Sequence, residues 1–237
     1  MNKKGTLYLI PVGMGNNDSQ RIIPEYNISI LKELKHFVTE NGKTARAYLK
    51  DTIKDIVLQN LFYYELNHHT NPQDIFTYLK LLLDGNQVGL MSEAGCPGIA
   101  DPGAELVKLA HKNNIRVVPL IGPSSILLTI MASGLNGQNF AFNGYLPKDK
   151  HERIKKIKEL EKLSFSKNQS QYFIETPYRN SQLISELFTT LSPNTNLVIA
   201  SSITTSDEFI TMKSVAEWKK STMPNLDKKP CMFGLGN

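Results

Sequence analysis

Between Ser92 and Gly103 the chain reads SEAGCPGIADPG, which sets Gly95, Gly98 and Gly103 with Pro97 and Pro102 in close succession. A loop whose main-chain amides and carbonyls must touch a ligand needs residues without bulk, and prolines to hold it open in one shape. The same composition suits an elaborate turn, and composition alone leaves both uses open. A second glycine pair, Gly13 and Gly15 in VGMGNND (12–18), would allow close approach to a phosphate or another ligand. Asp18 occupies the third glycine place of a dinucleotide fingerprint, so a plain tight turn fits equally well. Gly42-Lys43-Thr44 resembles the end of a nucleotide phosphate loop, but that loop needs a glycine where this chain has Phe37, which excludes an NTPase. His68 and His69 lack the partner spacing of a metal site, and neighbouring residues of a strand point to opposite faces. A solvated or hydrogen-bonded pair is expected, and no metal. Cys96 and Cys231 form no C-x-x-C pair, which argues against a disulfide framework or a thiolate zinc site and for a reducing, cytoplasmic setting.

Both glycine-rich stretches sit where a strand hands over to a helix. TLYLIPV (6–12) reads as a buried strand ending in the first turn, QVGLMS (87–92) leads into the second, and IRVVPL (115–120) is a further strand. Pro72 to Leu83 carries helical apolar spacing at Ile75, Phe76, Leu79 and Leu82/Leu83. Asp101 with Pro102 supplies an N-cap and first turn for a helix that ends near Asn113-Asn114. Strands alternating with helices imply βαβ units and a parallel sheet. After residue 120 the pattern changes. Ser125 to Ser133 is a short buried helix, FAFNGYL a strand and loop, and HERIKKIKELEKL a strongly charged helix with Ile154, Ile157, Leu160 and Leu163 on one face. QYFIE (171–175), a helix with Leu183, Ile184, Leu187, Phe188 and Leu191, and the strands NLVIAS (196–201) and CMFGLG (231–236) complete the reading. The fold class is α/β, with two α/β domains spanning 1–120 and 121–237.

Composition bounds the function. With 237 residues, 41% hydrophobic and 21% charged, the chain can bury a sizeable core unaided. A formal charge of +5 suits a polyanionic partner, although many basic enzymes never touch nucleic acid. Val117 to Pro147 contains no charged residue, but Pro119, Gly122 and Pro123 break it into strand, turn and helix. It reads as a buried stretch lining an inter-domain cleft rather than a membrane span. Lys3 and Lys4 precede an apolar patch that Pro11 and Gly13 cut short, which makes a first strand and not a leader peptide.

Six collinear motifs point further. LYLIPVGMGN near the start, Glu40-Asn41-Gly42-Lys43, the loop Ser92 to Gly103, VPLIGPSS (118–125), ASGL with GYLP (132–147), and ETPYR (175–179) follow in order. Together they resemble the tetrapyrrole methylase superfamily of S-adenosylmethionine (SAM) methyltransferases, most closely the bacterial small-subunit ribosomal RNA ribose-2'-O-methyltransferase I family. Its E-D-T-R, S-D-A-G-T-P-x-I-S-D-P-G, V-P-L-P-G-P-S-A and E-S-P-H-R segments correspond to these stretches. The likeness runs through the chain to about residue 205.

The resemblance implies a homodimer of two α/β domains with SAM in a cleft between them. It sets the methionine and ribose of SAM against Gly13, Ala94, Gly95, Cys96, Pro97 and Ile99, with Ser124 and Ser125 approaching from the second domain. Glu175, Pro230 and Cys231 flank the adenine, chiefly through backbone atoms. The departures concern the acceptor: Pro11-Val12-Gly13 stands for A-T-P, Asn41 and Lys43 for Asp and Arg, and Ser201-Ser202 for R-E. A ribose hydroxyl needs help in losing its proton, and Glu40 is the candidate base or positioning group; capping or pairing with the following helix is the other use for it. Three readings follow: methylation of ribosomal RNA, methylation of a tetrapyrrole or other small molecule, and SAM binding without catalysis. The basic run from His151 to Lys162 favours RNA, or is an ordinary solvated face.

Overall fold

The computed structural model describes residues 3–15 and 22–237, so Asn16, Asn17 and Asp18 of the first glycine turn lie outside the described residues. The chain divides into two compact units, one ending at Ser124 and the other beginning at Ser125.

The first unit is built on a parallel sheet. Its strands are β1 (Thr6–Ile10), β2 (His36–Thr39), β3 (Phe62–Glu65), β4 (Val88–Met91) and β5 (Arg116–Pro119), in the order β3-β2-β4-β1-β5. The helices between them are α1 (Glu25–Glu33), α2 (Gly42–Thr52), α3 (Asp74–Leu83) and α4 (Ala104–Lys112). Alternate strand residues feed two cores. Leu7, Val38, Val88 and Leu90 pack with Leu79 and Leu82 of α3 and Leu106 and Ala110 of α4. Ile10, Phe37 and Met91 pack with Leu31 of α1 and Ala45 and Leu49 of α2. The sheet is thus covered on both faces, as parallel sheets require.

The neighbours β1 and β4 send their chains to opposite faces, β1 towards α1 and β4 towards α4. This is the topological switch point at which open α/β sheets form a ligand crevice beyond the strand carboxyl ends. Beyond it, β1 ends at Ile10, and Val12 makes an isolated antiparallel bridge to Gly95.

Two expectations shift here. Helix α4 starts at Ala104 and not at Asp101-Pro102; its N-cap is Gly103 at φ 127°, where an added Cβ would lie 2.7 Å from the Leu90 side chain, so glycine alone fits. His68 and His69 fall in the turn after β3 rather than on a strand, and Asn67 Oδ1 accepts the His69 N–H at 2.9 Å.

The second unit has a mixed sheet. Its strands are β6 (Phe140–Tyr145), β7 (Ser170–Glu175), β8 (Asn196–Ser201), β9 (Phe209–Ser214) and β10 (Cys231–Gly236), in the order β6-β7-β10-β8-β9. Only β6 and β7 run parallel; the other neighbours are antiparallel. Helices α5 (Ser125–Ala132), α6 (Lys150–Lys167), α7 (Asn180–Thr190) and α8 (Val215–Trp218) complete it. Ile157 and Leu160 of α6 and Leu183 and Leu187 of α7 cover Phe173, Leu197, Ile199 and Phe233, and Trp218 closes the same core with its indole N–H donating to Leu197 O at 2.8 Å. On the other face Ile130 of α5 meets Tyr172, Ala200 and Met232. Helix α5 is not buried throughout, because Thr129 and Ile130 point inward while Leu127 and Met131 are 56% and 80% exposed. Among the described residues no helix is long and apolar enough to cross a membrane.

Candidate active site

In the first unit, the loop that follows β4 is held open by its own backbone. Val12 N donates to Gly95 O at 2.9 Å and Gly95 N to Val12 O at 3.2 Å, which ties this loop to the one after β1. The Ser92 hydroxyl reaches Ala94 O and Gly95 O, and the Cys96 thiol donates to Pro123 O at 3.4 Å. Tyr48 OH donates to Pro11 O at 3.2 Å and Asn27 Nδ2 to Ile121 O at 2.7 Å, so α1 and α2 fix the flanks.

Within this frame Gly98 stands at φ 77° with open space where a Cβ would be, and Ala94 and Ile99 face solvent. Gly95 and Pro97 are buried and shape the loop from beneath. Gly13, Ala94, Gly95, Cys96, Pro97 and Ile99 therefore belong to two bonded loops at the switch point of one sheet, with Ser124 closing the same unit after Pro123. The loop offers main chain and little side-chain chemistry, which suits a ligand recognised by backbone amides and carbonyls.

Beside the loop lies a group of carboxylates that the sequence reading reached only in part. Glu40 follows β2, Glu93 follows β4, and Asp101 precedes α4, so three elements deliver them to the carboxyl end of the sheet. Burial and then the neighbouring Glu40 and Glu93 charges push the Asp101 carboxyl up to about 6. Burial, reinforced by Glu93, also raises Glu40, and the His68 imidazole opposes both shifts. The Thr44 hydroxyl donates to Glu93 Oε1 at 2.6 Å and orients it. Asn41, not Glu40, caps α2, accepting the Lys43 N–H at 2.9 Å, so capping is no longer a use for Glu40. Among the described residues no group of three histidine, cysteine, aspartate or glutamate side chains is arranged to hold a metal ion. The Asp101 carboxyl, held beside an open loop, can take up and release a proton near neutral pH.

In the second unit, Cys231 sits in register with Glu175 on one side and Ser201 on the other, at the ends of β10, β7 and β8. Glu175 is buried, and its Oε1 accepts from Thr176 N at 2.6 Å and from Arg179 Nε at 3.0 Å, so its side chain is consumed by the chain's own turn. Burial pushes the Cys231 thiol up to about 11 and keeps it protonated. Pro230 is exposed and its carbonyl accepts the Ser202 N–H at 3.1 Å. Ser125 begins α5, where its carbonyl accepts the Thr129 hydroxyl at 2.7 Å.

Sequence reasoning missed Glu93, Asp101 and His68 as a set. Asp101 was visible only as a capping residue, and no spacing links residues 40, 68, 93 and 101.

The sequence profile described as tetrapyrrole (corrin/porphyrin) methylases matches residues 6–218. The chain is 30% identical over 237 residues to "Ribosomal RNA small subunit methyltransferase I" of Halalkalibacterium halodurans, covering 99% of this chain and 77% of that one. Among solved structures, the methyltransferase CobJ is similar with a TM-score of 0.64 at 16% identity, covering 98% of this chain and 94% of that chain. Uroporphyrin-III C-methyltransferase from Thermus thermophilus, solved with S-adenyl homocysteine, has a TM-score of 0.55 at 15% identity, covering 98% of both chains.

Proposed function

The chain belongs to the tetrapyrrole (corrin/porphyrin) methylase family, and from that premise we propose that it transfers a methyl group from SAM to a ribose 2'-hydroxyl of small-subunit ribosomal RNA. One observation of the structure carries the reading: an open main-chain loop at the switch point of a parallel sheet stands beside carboxyls with raised proton affinity. The first half suits the donor, the second an acceptor that must lose a proton. The similarity to an rRNA small-subunit methyltransferase over 99% of the chain supports RNA as that acceptor.

SAM fits the residues present. Its amino-acid and ribose parts carry hydrogen-bonding groups for the exposed backbone of Ala94, Gly98 and Ile99, and Gly98 leaves open space at the loop surface. Residues Gly13, Gly95, Cys96, Pro97 and Ser124 hold that loop, and Ser125, Glu175, Pro230 and Cys231 offer backbone for the adenine. When bound, SAM supplies a methyl carbon activated by the adjoining sulfonium. The chain orients the acceptor hydroxyl, keeps water away, and gives the hydroxyl proton a place to go. Glu40 is the group assigned to take it, with burial and then the neighbouring Glu93 charge holding its affinity up. The thiol of Cys96, raised by burial, stays protonated and takes no part as a nucleophile.

An rRNA acceptor makes the cytoplasm the working compartment. The exposed apolar pair Leu127 and Met131 on α5 supports association with a second copy, which light scattering tests.

Two linked experiments decide the function. Calorimetric titration with SAM should show binding, and labelled methyl should pass to small ribosomal subunits from a host lacking the modification. Binding with no labelled RNA would shift the reading to a small-molecule acceptor or to binding without catalysis. No binding at all would remove the donor site.

A further inference from the structure

Helix α6 carries a stripe that its own fold does not use. His151, Lys155, Lys158, Lys162 and Phe165 recur at alternating spacings of four and three residues, so they share about 80° of the helix circumference at about 100° per residue. All five are exposed, Phe165 by 48%, while Arg153, Ile157, Leu160 and Ser164 face inward. From His151 to Phe165 the stripe runs about 21 Å at about 1.5 Å per residue.

The stripe is left positive by the placement of its acids. On one border Glu161 turns to the chain, where Oε1 accepts from Ser192 N at 2.7 Å and from the Thr195 hydroxyl. On the other, Glu159 pairs with Lys156, off the stripe, at 3.1 Å. Among the described residues none of Lys155, Lys158 and Lys162 forms an ion pair. Lys155 and Lys158 are three apart and Lys158 and Lys162 four, spacings at which like charges disfavour a helix. The helix is anchored on its other face, by Ile157 and Leu160 in the core and the buried Arg153–Glu186 pair at 2.6 Å.

We propose that this stripe is the docking face for the sugar-phosphate backbone of the RNA acceptor, with the Phe165 ring offered to an unpaired base. The inference rests on the RNA reading above and adds to it a surface, a partner chemistry and a set of residues. A row of separated lysines neutralises phosphates without reading sequence, so it supplies affinity and salt dependence, while the choice of nucleotide is left to the active site.

The test is binding of a labelled small-subunit rRNA fragment by fluorescence anisotropy across a salt series, for the full chain and three variants. The triple variant K155Q/K158Q/K162Q keeps good helix formers. It should bind RNA about tenfold more weakly near physiological salt, and lower the slope of log affinity against log salt by about 2, from three lost contacts at about 0.7 each. Phe165→Ala should weaken binding without changing the slope. K32Q/K35Q/K54Q, on exposed lysines of the first unit, makes the same change in net charge and should leave the slope unchanged.

Equal losses from both triples, or none from K155Q/K158Q/K162Q, would overturn the docking face. Methyl transfer to the small subunit by the unaltered chain is scored separately. Transfer that persists while the stripe variant binds normally refutes the face and leaves the function standing. Stripe-dependent binding without transfer supports the face and refutes the function. No RNA binding by the unaltered chain refutes both.

Discussion

A carboxyl that titrates near 6 exchanges its proton within the working range of a cell, and Asp101 is in that position through burial and the charges of Glu40 and Glu93. The sign of its effect on folding follows. Its proton affinity is higher folded than unfolded, so its ionisation weakens the native state as pH rises from about 4 to about 6, and the loss persists above that. Asp101→Asn removes the penalty. It should raise Tm by about 2–4 °C at pH 8, from about 1 kcal/mol after solvent screening, and leave Tm unchanged at pH 4. Thermal denaturation at the two pH values checks this, and an equal shift at both would contradict the cause given. Glu40→Gln belongs to the same cluster but to the chemistry. It should lower single-turnover methyl transfer by about 10²–10⁴ while SAM affinity by calorimetry stays within a factor of about three. At this scale the main-chain loop was legible, because glycine and proline announce backbone geometry in their own composition. The carboxyl group was not, because Glu93 and Asp101 lie at the ends of one loop and reach Glu40 and His68 only through the pairing of β2 with β4 and β3.

Helices α6 and α7 are joined by a largely buried charge pair. Arg153 Nε and Nη2 bind the two oxygens of Glu186 at 2.6 and 2.8 Å, Nη1 donates to Pro147 O and Lys148 O, and the side chains are 3% and 9% exposed. Removing one partner strands the other charge, so Arg153→Leu should cost about 3 kcal/mol, read by denaturant unfolding, and R153L/E186L should recover much of it. The Arg153 hydrogen bonds hold Glu186 below the usual carboxylate range. This contribution is therefore complete above about pH 4.5 and is lost as pH falls through the lowered value. Elements such as β1, β4 and β5 were legible because buried parallel strands are continuous apolar runs flanked by turns. The short β2, the half-exposed β3 and the edge strand β9 were not, since HFVT, FYYE and FITMKS take their strand character from the neighbours they pair with. The start of α4 was misplaced by reading Asp101-Pro102 as its cap, where Gly103 takes that position by fitting against Leu90.

Each of the two units carries its own apolar cores, so each has its own means of stability. Donor binding should strengthen the chain by mass action, by about 2.7 kcal/mol at a hundredfold excess over Kd. For a chain of this length that is a rise in Tm of about 5–10 °C. The residues proposed for SAM in the second unit are tested by whether that unit gains as well. Calorimetric scanning that finds stabilisation of the first unit alone would remove Glu175, Pro230 and Cys231 from the donor site. The chain is well suited to that distinction. Its single tryptophan, Trp218, is 1% exposed in the second unit, with its indole N–H on Leu197 O and Lys213 Nζ 5.0 Å from the ring. The second unit therefore carries a private optical label: indole emission should shift to the red when that unit opens, while the tyrosine-only first unit melts unseen at wavelengths that excite indole alone.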